Sequence, residues 1–324
     1  MSSIRWVLAG LARPLIIRLP PWYRVRVYNR LVEFPCASGA MSASVVRRVA
    51  PHCFKMELDL SDWMERAAAL TGIFYEIEVT ALLERLLRPN DTFVDVGGNL
   101  GFVSLTARRL IGLGKLIYVE PNAQLVSRFW ATCVRNDIRA EIVHAALGEA
   151  NGRVGLSATG HHGTSKIIAG DEVLMLRADD LLIPLETPCF VKIDVEGYEE
   201  IVLQGAGRLL ERHDCAFLVE ITDEWLRGKG GSAANLFDTM HSHGFGAWRA
   251  TLSRKGLQLE PIKGPLNEFQ YDVLFAHSQW LLDRCKDRSG YRGDHTLIVD
   301  GHFDRQASNM IVQIDPVRCS ATRR

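Results

Sequence analysis

Two acidic residues at the ends of neighbouring apolar runs define the chemistry available to the first half of the chain. Asp95 lies in the run Phe-Val-Asp-Val-Gly-Gly-Asn-Leu-Gly at 93–101, and Glu120 follows the apolar run 116–119. The dinucleotide fingerprint would need a glycine at 96, where Val96 stands. A carboxylate in this turn suits a cationic ligand end, and an acidic residue after the next strand suits a ribose diol. The pair predicts a site for S-adenosylmethionine, and hence a methyltransferase.

A second group of ionisable residues stands at Lys192, Asp194 and Glu196, in the run Val-Lys-Ile-Asp-Val-Glu-Gly-Tyr-Glu at 191–199. Three such groups within five residues at a strand end are costly to place unless they are used or paired. We expect Asp194 to act as a general base, with Glu196 as the second candidate. Lys192 would steady the carboxylates or the acceptor oxygen. The alternative is a helix cap by either carboxylate, with Lys192 paired to a neighbour.

Glu220 follows the next strand and could join Asp194 and Glu196 around a divalent cation through oxygen ligands. The preferred interpretation is a carboxylate bonded to a loop, so we predict no metal site. Glu76, after Tyr75, could cap the cofactor or simply begin a helix. His161 and His162 are expected to be solvated loop residues, and His241 and His243 to be structural. Asp300, His302 and Asp304 have a metal-like composition, but their stretch is too weakly patterned to predict a preformed site.

Strands and helices alternate along the middle of the chain, which predicts an open α/β sheet. Strands are predicted at 92–96, 115–119, 140–144, 189–194 and 215–221. Helices are predicted at 75–88, 100–111, 123–136, 197–212 and 232–243. An extra hairpin is predicted from 154–156 and 173–176, whereas residues 1–60 have no regular pattern because prolines interrupt them.

The bulk composition is that of a soluble enzyme, with 47% hydrophobic and 23% charged residues. The formal net charge is +0, so no nucleic acid partner is expected, because phosphate binding usually requires a basic excess. Seven cysteines are scattered without a C-x-x-C pair. This pattern favours a reducing, cytoplasmic location over a disulfide framework or a zinc site.

Both ends of the chain differ from the middle. Residues 1–30 contain six arginines and no acidic residue. We interpret them as a basic helix packed on the body; the alternatives are an amphipathic arm with weak peripheral membrane contact and an organelle transit peptide. Residues 281–324 form a weakly patterned C-terminal tail. The predicted organisation is therefore an N-terminal extension over 1–70, a catalytic domain over 71–280 and a tail over 281–324.

The stretch from about Gly72 to Glu220 resembles the FkbM family of S-adenosylmethionine-dependent methyltransferases. The block 192–199 is specific, and together with the glycine turn it makes a chance match improbable. The matching pieces stand in family order: Phe74-Tyr-Glu76, Asp95-Val-Gly-Gly-Asn-Leu-Gly101, Glu120-Pro-Asn122, Ala145-Ala-Leu-Gly148, Ala178-Asp-Asp-Leu181, Lys192-Ile-Asp-Val-Glu-Gly-Tyr-Glu199 and Val219-Glu-Ile221.

The resemblance implies a class I methyltransferase fold, which is a Rossmann-like, seven-stranded, mostly parallel sheet with the last strand antiparallel. It also implies methyl transfer to a hydroxyl of a glycan, glycolipid or secondary metabolite. The alternatives are a nicotinamide-dependent oxidoreductase and a noncatalytic S-adenosylmethionine-binding protein. Gly98 stands where the family usually has alanine, and we expect this change to loosen the turn. By position, the cofactor would contact Glu76, Asp95, Gly97, Asn99, Gly101, Glu120 and Pro121, with Ala145, Ala146 and Leu147 beside the adenine.

Overall fold

A computed structural model of the chain falls into two compact units. The first comprises residues 1–77 and 127–139, and the second comprises 78–126 and 140–324. The structure describes residues 15, 16, 19, 23, 44–49, 54–72, 76–157, 166–182, 187–253, 256–286, 297–298 and 312–314.

The described part of the first unit contains a β-hairpin, the helix that follows it, and residues 127–139, which include most of a later helix. Strands β1 (Ser44–Val49) and β2 (Phe54–Asp59) pair antiparallel, and helix α1 (Trp63–Thr71) follows. The Asp62 carboxylate accepts two amide hydrogens of the first turn, which caps the helix, and Gly72 ends it in a left-handed conformation. The hairpin was not predicted, although β2 alternates apolar and polar residues; β1 has little alternation and a single buried residue, Val49.

The second unit is built on a large sheet and a small one. In chain order its strands are β3 (Thr92–Val96), β4 (Leu116–Val119), β5 (Glu141–Val143), β6 (Ala146–Gly148), β7 (Gly152–Leu156), β8 (Ile167–Arg177), β9 (Cys189–Ile193), β10 (Cys215–Ile221), β11 (Gly246–Ser253), β12 (Gly256–Ile262), β13 (Tyr271–Ala276), β14 (Leu297–Ile298) and β15 (Val312–Ile314). The large sheet has the order β14-β15-β12-β11-β13-β10-β9-β3-β4-β5.

Seven strands of this sheet confirm the predicted class I, Rossmann-like α/β fold. Strands β10, β9, β3, β4 and β5 are parallel neighbours, and β13 runs antiparallel to both β10 and β11. The parallel strands β3, β4 and β9 are buried at every residue, which explains why they are apolar on both faces. Because the strands are parallel, the residues that follow β3, β4, β9 and β10 meet at one edge of the sheet.

The helices follow the chain as α2 (Ile77–Leu86), α3 (Phe102–Ile111), α4 (Ala123–Asn136), α5 (Ala178–Leu182), α6 (Glu199–Gln204), α7 (Gly207–Leu210), α8 (Asp223–Arg227), α9 (Ala233–Ser242) and α10 (Ser278–Lys286). The apolar core of the second unit combines buried side chains of the parallel strands with those of α5 to α9, such as Leu203, Phe217 and Leu236. No helix within the described ranges is long and apolar enough to cross a membrane.

Three local predictions differ from the structure. The helix predicted over 197–212 divides into α6 and α7, because Gly205 lies against the Gly148 carbonyl, only 1.9 Å from where a Cβ would stand. The strand predicted over 140–144 ends at Val143. Strands β12, β15 and β14 extend the sheet beyond the predicted seven, and the last two belong to the stretch interpreted as a tail. The extra hairpin is confirmed as β7 and β8, in a small sheet with β6.

Candidate functional site

A glycine turn links β3 to α3. The amides of Gly97 and Gly98 donate hydrogen bonds to the Val119 carbonyl at the end of β4, at 2.9 and 3.2 Å. This contact holds the turn over the carboxyl edge of the sheet. Three residues of the turn have the left-handed backbone that most side chains avoid: Gly97 (φ 78°), Asn99 (φ 47°) and Gly101 (φ 81°).

Asp95 is fully buried at the end of β3. Its Oδ2 accepts a hydrogen bond from Ser104 Oγ at 2.6 Å, whereas Oδ1 has no hydrogen-bond partner among the described residues. Burial raises the pKa of the Asp95 carboxyl, and the nearby Lys192 ammonium opposes that effect. A buried carboxylate oxygen without a donor is an unmet acceptor, which a cationic ligand group would satisfy.

Glu120 connects the glycine turn after β3 with its own loop after β4. Its Oε2 accepts the Asn99 amide hydrogen at 3.0 Å, and its Oε1 accepts that of Asn122 at 2.8 Å. Burial raises the pKa of Glu120 to about 7, although both backbone hydrogen bonds oppose the shift. Each carboxylate oxygen still has a second lone pair, so Glu120 can also accept hydrogen bonds from a diol.

The glycine turn and the 192–199 block are in direct contact. The Asp194 amide donates to the Val96 carbonyl at 3.0 Å. A Cβ at Gly97 would lie 1.8 Å from the Asp194 carbonyl oxygen. The glycine at 97 is therefore required by the fold itself, because it lets the end of β9 approach the turn. Tertiary packing brings together the two sequence motifs that were identified separately.

Lys192 lies between the carboxylates of two motifs. It stands opposite Asp95 in the β3–β9 register, and its Nζ is 2.7 Å from Asp194 Oδ2. The Lys192 side chain is 4% exposed and that of Asp194 is 19% exposed. Lys192 is therefore paired with a neighbouring carboxylate, as expected if its role is structural. The more exposed Asp194 carboxylate is the member of the pair that a second ligand can reach.

Glu196 and Glu199 shape the loop after β9. Glu196 has a left-handed backbone (φ 58°), and its buried Oε2 has no hydrogen-bond partner among the described residues. Burial, followed by the Asp194 charge, raises the pKa of Glu196 to about 8. Glu199, which is 2% exposed, accepts the amide hydrogens of Val195 and Gly197 at 3.0 and 3.1 Å through Oε1. Sequence analysis assigned Glu199 no role, although it belongs to the same block.

Glu220 faces a carboxylate that the sequence did not indicate. It stands opposite Asp272 in the β10–β13 register, and Asp272 is the single charge of an otherwise apolar strand. Burial, followed by the charges of Asp194 and Asp272, raises the pKa of Glu220 well above its usual range. Among the described residues, no group of three His, Cys, Asp or Glu side chains is arranged to hold a metal ion.

Gly98 lies against an aromatic ring, and the expectation that it loosens the turn stays a prediction. A Cβ at this position would lie 2.4 Å from the ring of Tyr118, which occupies the space of the missing methyl group. Tyr118 is fully buried, and its hydroxyl donates a hydrogen bond to the Asn99 carbonyl. The Tyr118 side chain therefore contacts the turn at both Gly98 and Asn99.

The other predicted residues lie in varied surroundings. Ala145, Ala146 and Leu147 are at most 2% exposed, and the Pro121 carbonyl is 3.0 Å from the ring Nε2 of His144. Glu76 precedes α2 and belongs to the first unit, so its contact with the cofactor stays a prediction. Residues outside the described ranges are Tyr75, His161, His162, Asp300, His302, Asp304 and most of 1–30.

Residues 95–256, which are half of the chain, match the family model described as "Methyltransferase FkbM domain". No curated protein matches the chain.

Among solved structures, the chain is similar to methyltransferase FkbM from Methylobacillus flagellatus KT at 13% identity, covering 78% of this chain and 58% of that one, with a TM-score of 0.36. It is also similar to precorrin-6y C5,15-methyltransferase from Geobacter metallireducens GS-15 at 15% identity, covering 63% and 89%, with a TM-score of 0.37. A putative rRNA-methylase from Clostridium thermocellum is 10% identical to the chain, covering 61% of this chain and 92% of that one, with a TM-score of 0.39. Likeness at these TM-scores carries no argument about the substrate.

Proposed function

The chain belongs to the FkbM family of methyltransferases, which depend on S-adenosylmethionine, and on this premise we propose that it methylates a hydroxyl oxygen of a glycan, glycolipid or secondary metabolite. The observation that carries the proposal is the close approach of Gly97 to Asp194. A Cβ added at Gly97 would lie only 1.8 Å from the Asp194 carbonyl oxygen. Because of this contact, a ligand held by the glycine turn would lie beside the ionisable groups of the 192–199 block.

The residues of the turn fit S-adenosylmethionine. Asp95 offers a buried oxygen without a donor to the cationic amino acid end. Glu120 offers its remaining lone pairs to the ribose diol. Gly97, Asn99 and Gly101 let the backbone pass close to the ligand, and Pro121 with Ala145 to Leu147 would border the adenine. Once bound, the cofactor supplies an electrophilic methyl group on a sulfonium.

Asp194 is the proposed general base. An aliphatic hydroxyl is a weak nucleophile, so removing its proton in the transition state accelerates transfer. Lys192 holds one carboxylate oxygen of Asp194 in place at 2.7 Å, which fixes the direction of the base. Glu196, with its buried unpaired Oε2, is proposed as a partner for the acceptor. The acceptor is a small molecule or a glycan, and the net charge of +0 gives no basis for a nucleic acid.

The test is turnover with labelled S-adenosylmethionine for Asp194→Asn and Glu196→Gln, with and without a chelator. Asp194→Asn should lower kcat by roughly 10² to 10⁴-fold, because it removes the base and keeps the shape. Its affinity for S-adenosylhomocysteine should be unchanged. Asp214→Asn is the matched control, since Asp214 is also ion-paired, to Arg212 at 2.8 Å, but precedes β10 at the opposite edge of the sheet. Near-parental turnover in Asp194→Asn would remove Asp194 as the base.

Calorimetry with S-adenosylhomocysteine tests the cofactor assignment separately. Asp95→Ala and Glu120→Ala should each weaken binding by about 1 to 3 kcal/mol, the cost of leaving polar groups unpaired. Undiminished affinity in both variants, or tight binding of NAD, would contradict the assignment. Binding of the cofactor product without transfer to any hydroxyl acceptor would favour the noncatalytic alternative.

A further inference from the structure

Glu196 has an unusual backbone for its residue type. Asparagine and aspartate tolerate the left-handed region because their short polar side chains bond locally, but glutamate has no such advantage. A strained residue of this kind persists only where its surroundings hold it, and such residues concentrate at functional sites. Four non-glycine residues in the described ranges have positive φ: Asn90 (72°), Asn99 (47°), Asp137 (53°) and Glu196 (58°).

Glu196 is held through hydrogen bonds to the amides of its two neighbouring residues, Val195 and Gly197. Glu199 Oε1 accepts the amide hydrogens of Val195 at 3.0 Å and Gly197 at 3.1 Å. A single carboxylate oxygen therefore bonds the Asp194–Val195 peptide group, one removed from Glu196, and the Glu196–Gly197 peptide group that follows it. Glu199 can do so because it is 2% exposed and belongs to the first turn of α6, which is anchored in the core by Val202 and Leu203.

The opposite side of the loop is closed by Trp225. A Cβ at Gly197 would lie 2.7 Å from the Trp225 Cβ, so only glycine fits there, and its own φ is 96°. The loop is thus held between the Glu199 carboxylate and the Trp225 backbone. Lys166 Nζ lies 4.2 Å above the Trp225 ring and is one of the charges that act on Glu196. The strained backbone consequently directs the Glu196 carboxyl into a set of ionisable groups that also includes Asp194.

We propose that Glu199 is a positioning residue, which holds Glu196 in its left-handed conformation so that the unpaired Glu196 Oε2 meets the acceptor. This inference rests on the proposed function, since it assumes that Glu196 takes part in methyl transfer. It adds that Glu199 acts through hydrogen-bond acceptance and not through its charge. Glutamine, whose amide oxygen can accept the same two hydrogen bonds, should therefore replace it, whereas leucine should not.

Measurements of kcat distinguish hydrogen-bond acceptance by Glu199 from an effect of its charge. Glu199→Leu should lower kcat by roughly 10- to 100-fold, the cost of misplacing a group at the reaction centre, while the affinity for S-adenosylhomocysteine stays unchanged. Glu199→Gln should recover kcat to within about threefold of the parent. Glu200→Leu is the matched control, because Glu200 is the next residue of α6 and its carboxylate accepts the Ser232 amide hydrogen at 2.9 Å, away from the loop. Equal impairment of the Leu and Gln variants, or parental kcat in Glu199→Leu, would overturn the proposal.

Amide hydrogen exchange gives a readout that needs no acceptor. Exchange at Val195 and Gly197 should be roughly tenfold faster in Glu199→Leu than in the parent and near-parental in Glu199→Gln. If the parent transfers no methyl group, the proposed function fails while exchange still decides whether Glu199 holds the loop. Unchanged exchange in Glu199→Leu would overturn the proposal whatever the turnover.

A double-mutant cycle distinguishes a specific coupling between Glu196 and Glu199 from a general loss of stability. Glu196→Gly removes the strained side chain, since glycine adopts positive φ freely. If Glu199 opposes that strain, Glu199→Leu should lower Tm less in the Glu196→Gly background than in the parent. Additive losses of Tm would mean that the two residues are uncoupled, and would overturn the proposal.

Discussion

Gly97→Ala tests the contact between the glycine turn and Asp194. The new Cβ would lie 1.8 Å from the Asp194 carbonyl oxygen and 3.1 Å from a methyl carbon of Val195. Ordinary non-bonded contacts are about 3.5 Å or longer, so the peptide after Asp194 would have to move by more than about 1 Å. That peptide cannot move alone, because the Asp194 amide is bonded to the Val96 carbonyl at 3.0 Å.

Three costs add in this substitution. Alanine at φ 78° costs about 1 to 2 kcal/mol. Overpacking a dense site costs about 1 to 3 kcal/mol. Losing the Asp194–Val96 hydrogen bond inside the protein costs about 1 to 3 kcal/mol. We therefore expect the free energy of unfolding to fall by roughly 3 to 8 kcal/mol, a large part of the total stability of a domain.

The control is Gly230→Ala. Gly230 has a similar φ of 85°, but apart from its chain neighbours no atom of the described residues lies within 4 Å of its Cβ position, so only the backbone cost of about 1 to 2 kcal/mol applies. Urea unfolding of the parent and both variants gives the two losses, and calorimetry with S-adenosylhomocysteine shows whether the site survives. Equal losses in Gly97→Ala and Gly230→Ala would refute the claim that the turn and Asp194 are in contact.

Two further predictions concern buried carboxylates. Burial raises the pKa of Glu120 from 4.5 to about 7, so the folded state binds the proton of Glu120 more tightly than the unfolded state does. This difference contributes about 3 kcal/mol to the free energy of unfolding. The contribution is complete below pH 4.5 and is lost as the pH rises through 7. The stability advantage of the parent over Glu120→Gln should therefore shrink from about pH 5 to about pH 8 in urea unfolding, and a pH-independent difference would contradict the shift. Asp179→Ala should cost about 2 to 4 kcal/mol by the same assay, because this buried carboxylate, in the first turn of α5, accepts the amide hydrogens of Arg208 and Leu209 of α7 at 3.0 Å. The control is the exposed neighbour Asp180, which accepts a hydrogen bond from Asn151 at 2.7 Å; Asp180→Ala should lower the free energy of unfolding by less than about 1 kcal/mol. Equal losses of stability in Asp179→Ala and Asp180→Ala would mean that burial is not the cause.

Local pattern determined the order of elements and the identity of the main motif. The buried parallel strands are apolar on both faces, so β3, β4, β9 and β10 could be predicted from runs of sequence without knowing their neighbours. The parallel arrangement then implied that Asp95, Glu120, Asp194 and Glu220 follow strands at one edge of the sheet. The glycine turn and the 192–199 block carried the family resemblance, which the family match over 95–256 confirms.

The pairing of side chains was decided by tertiary structure. Residues such as Gly97 and Asp194 are nearly a hundred positions apart, and their contact depends on the register of β3 with β9. Asp272 joins Glu220 only because the last core strand turns antiparallel, and a single acid in an apolar run gives no sequence signal.

Glycine in the sequence indicated tight turns but not what occupies the space beside them. Gly98 gave no sign that the Tyr118 ring occupies the space beside it, and the predicted helix divides at Gly205, where a distant carbonyl approaches. Glu199 appeared to be an ordinary acidic residue in a first helical turn, although it bonds the amides on both sides of Glu196. Hydrophobic periodicity reports which face of an element is buried, whereas the atoms that meet there depend on strand order and register, which no local pattern contains.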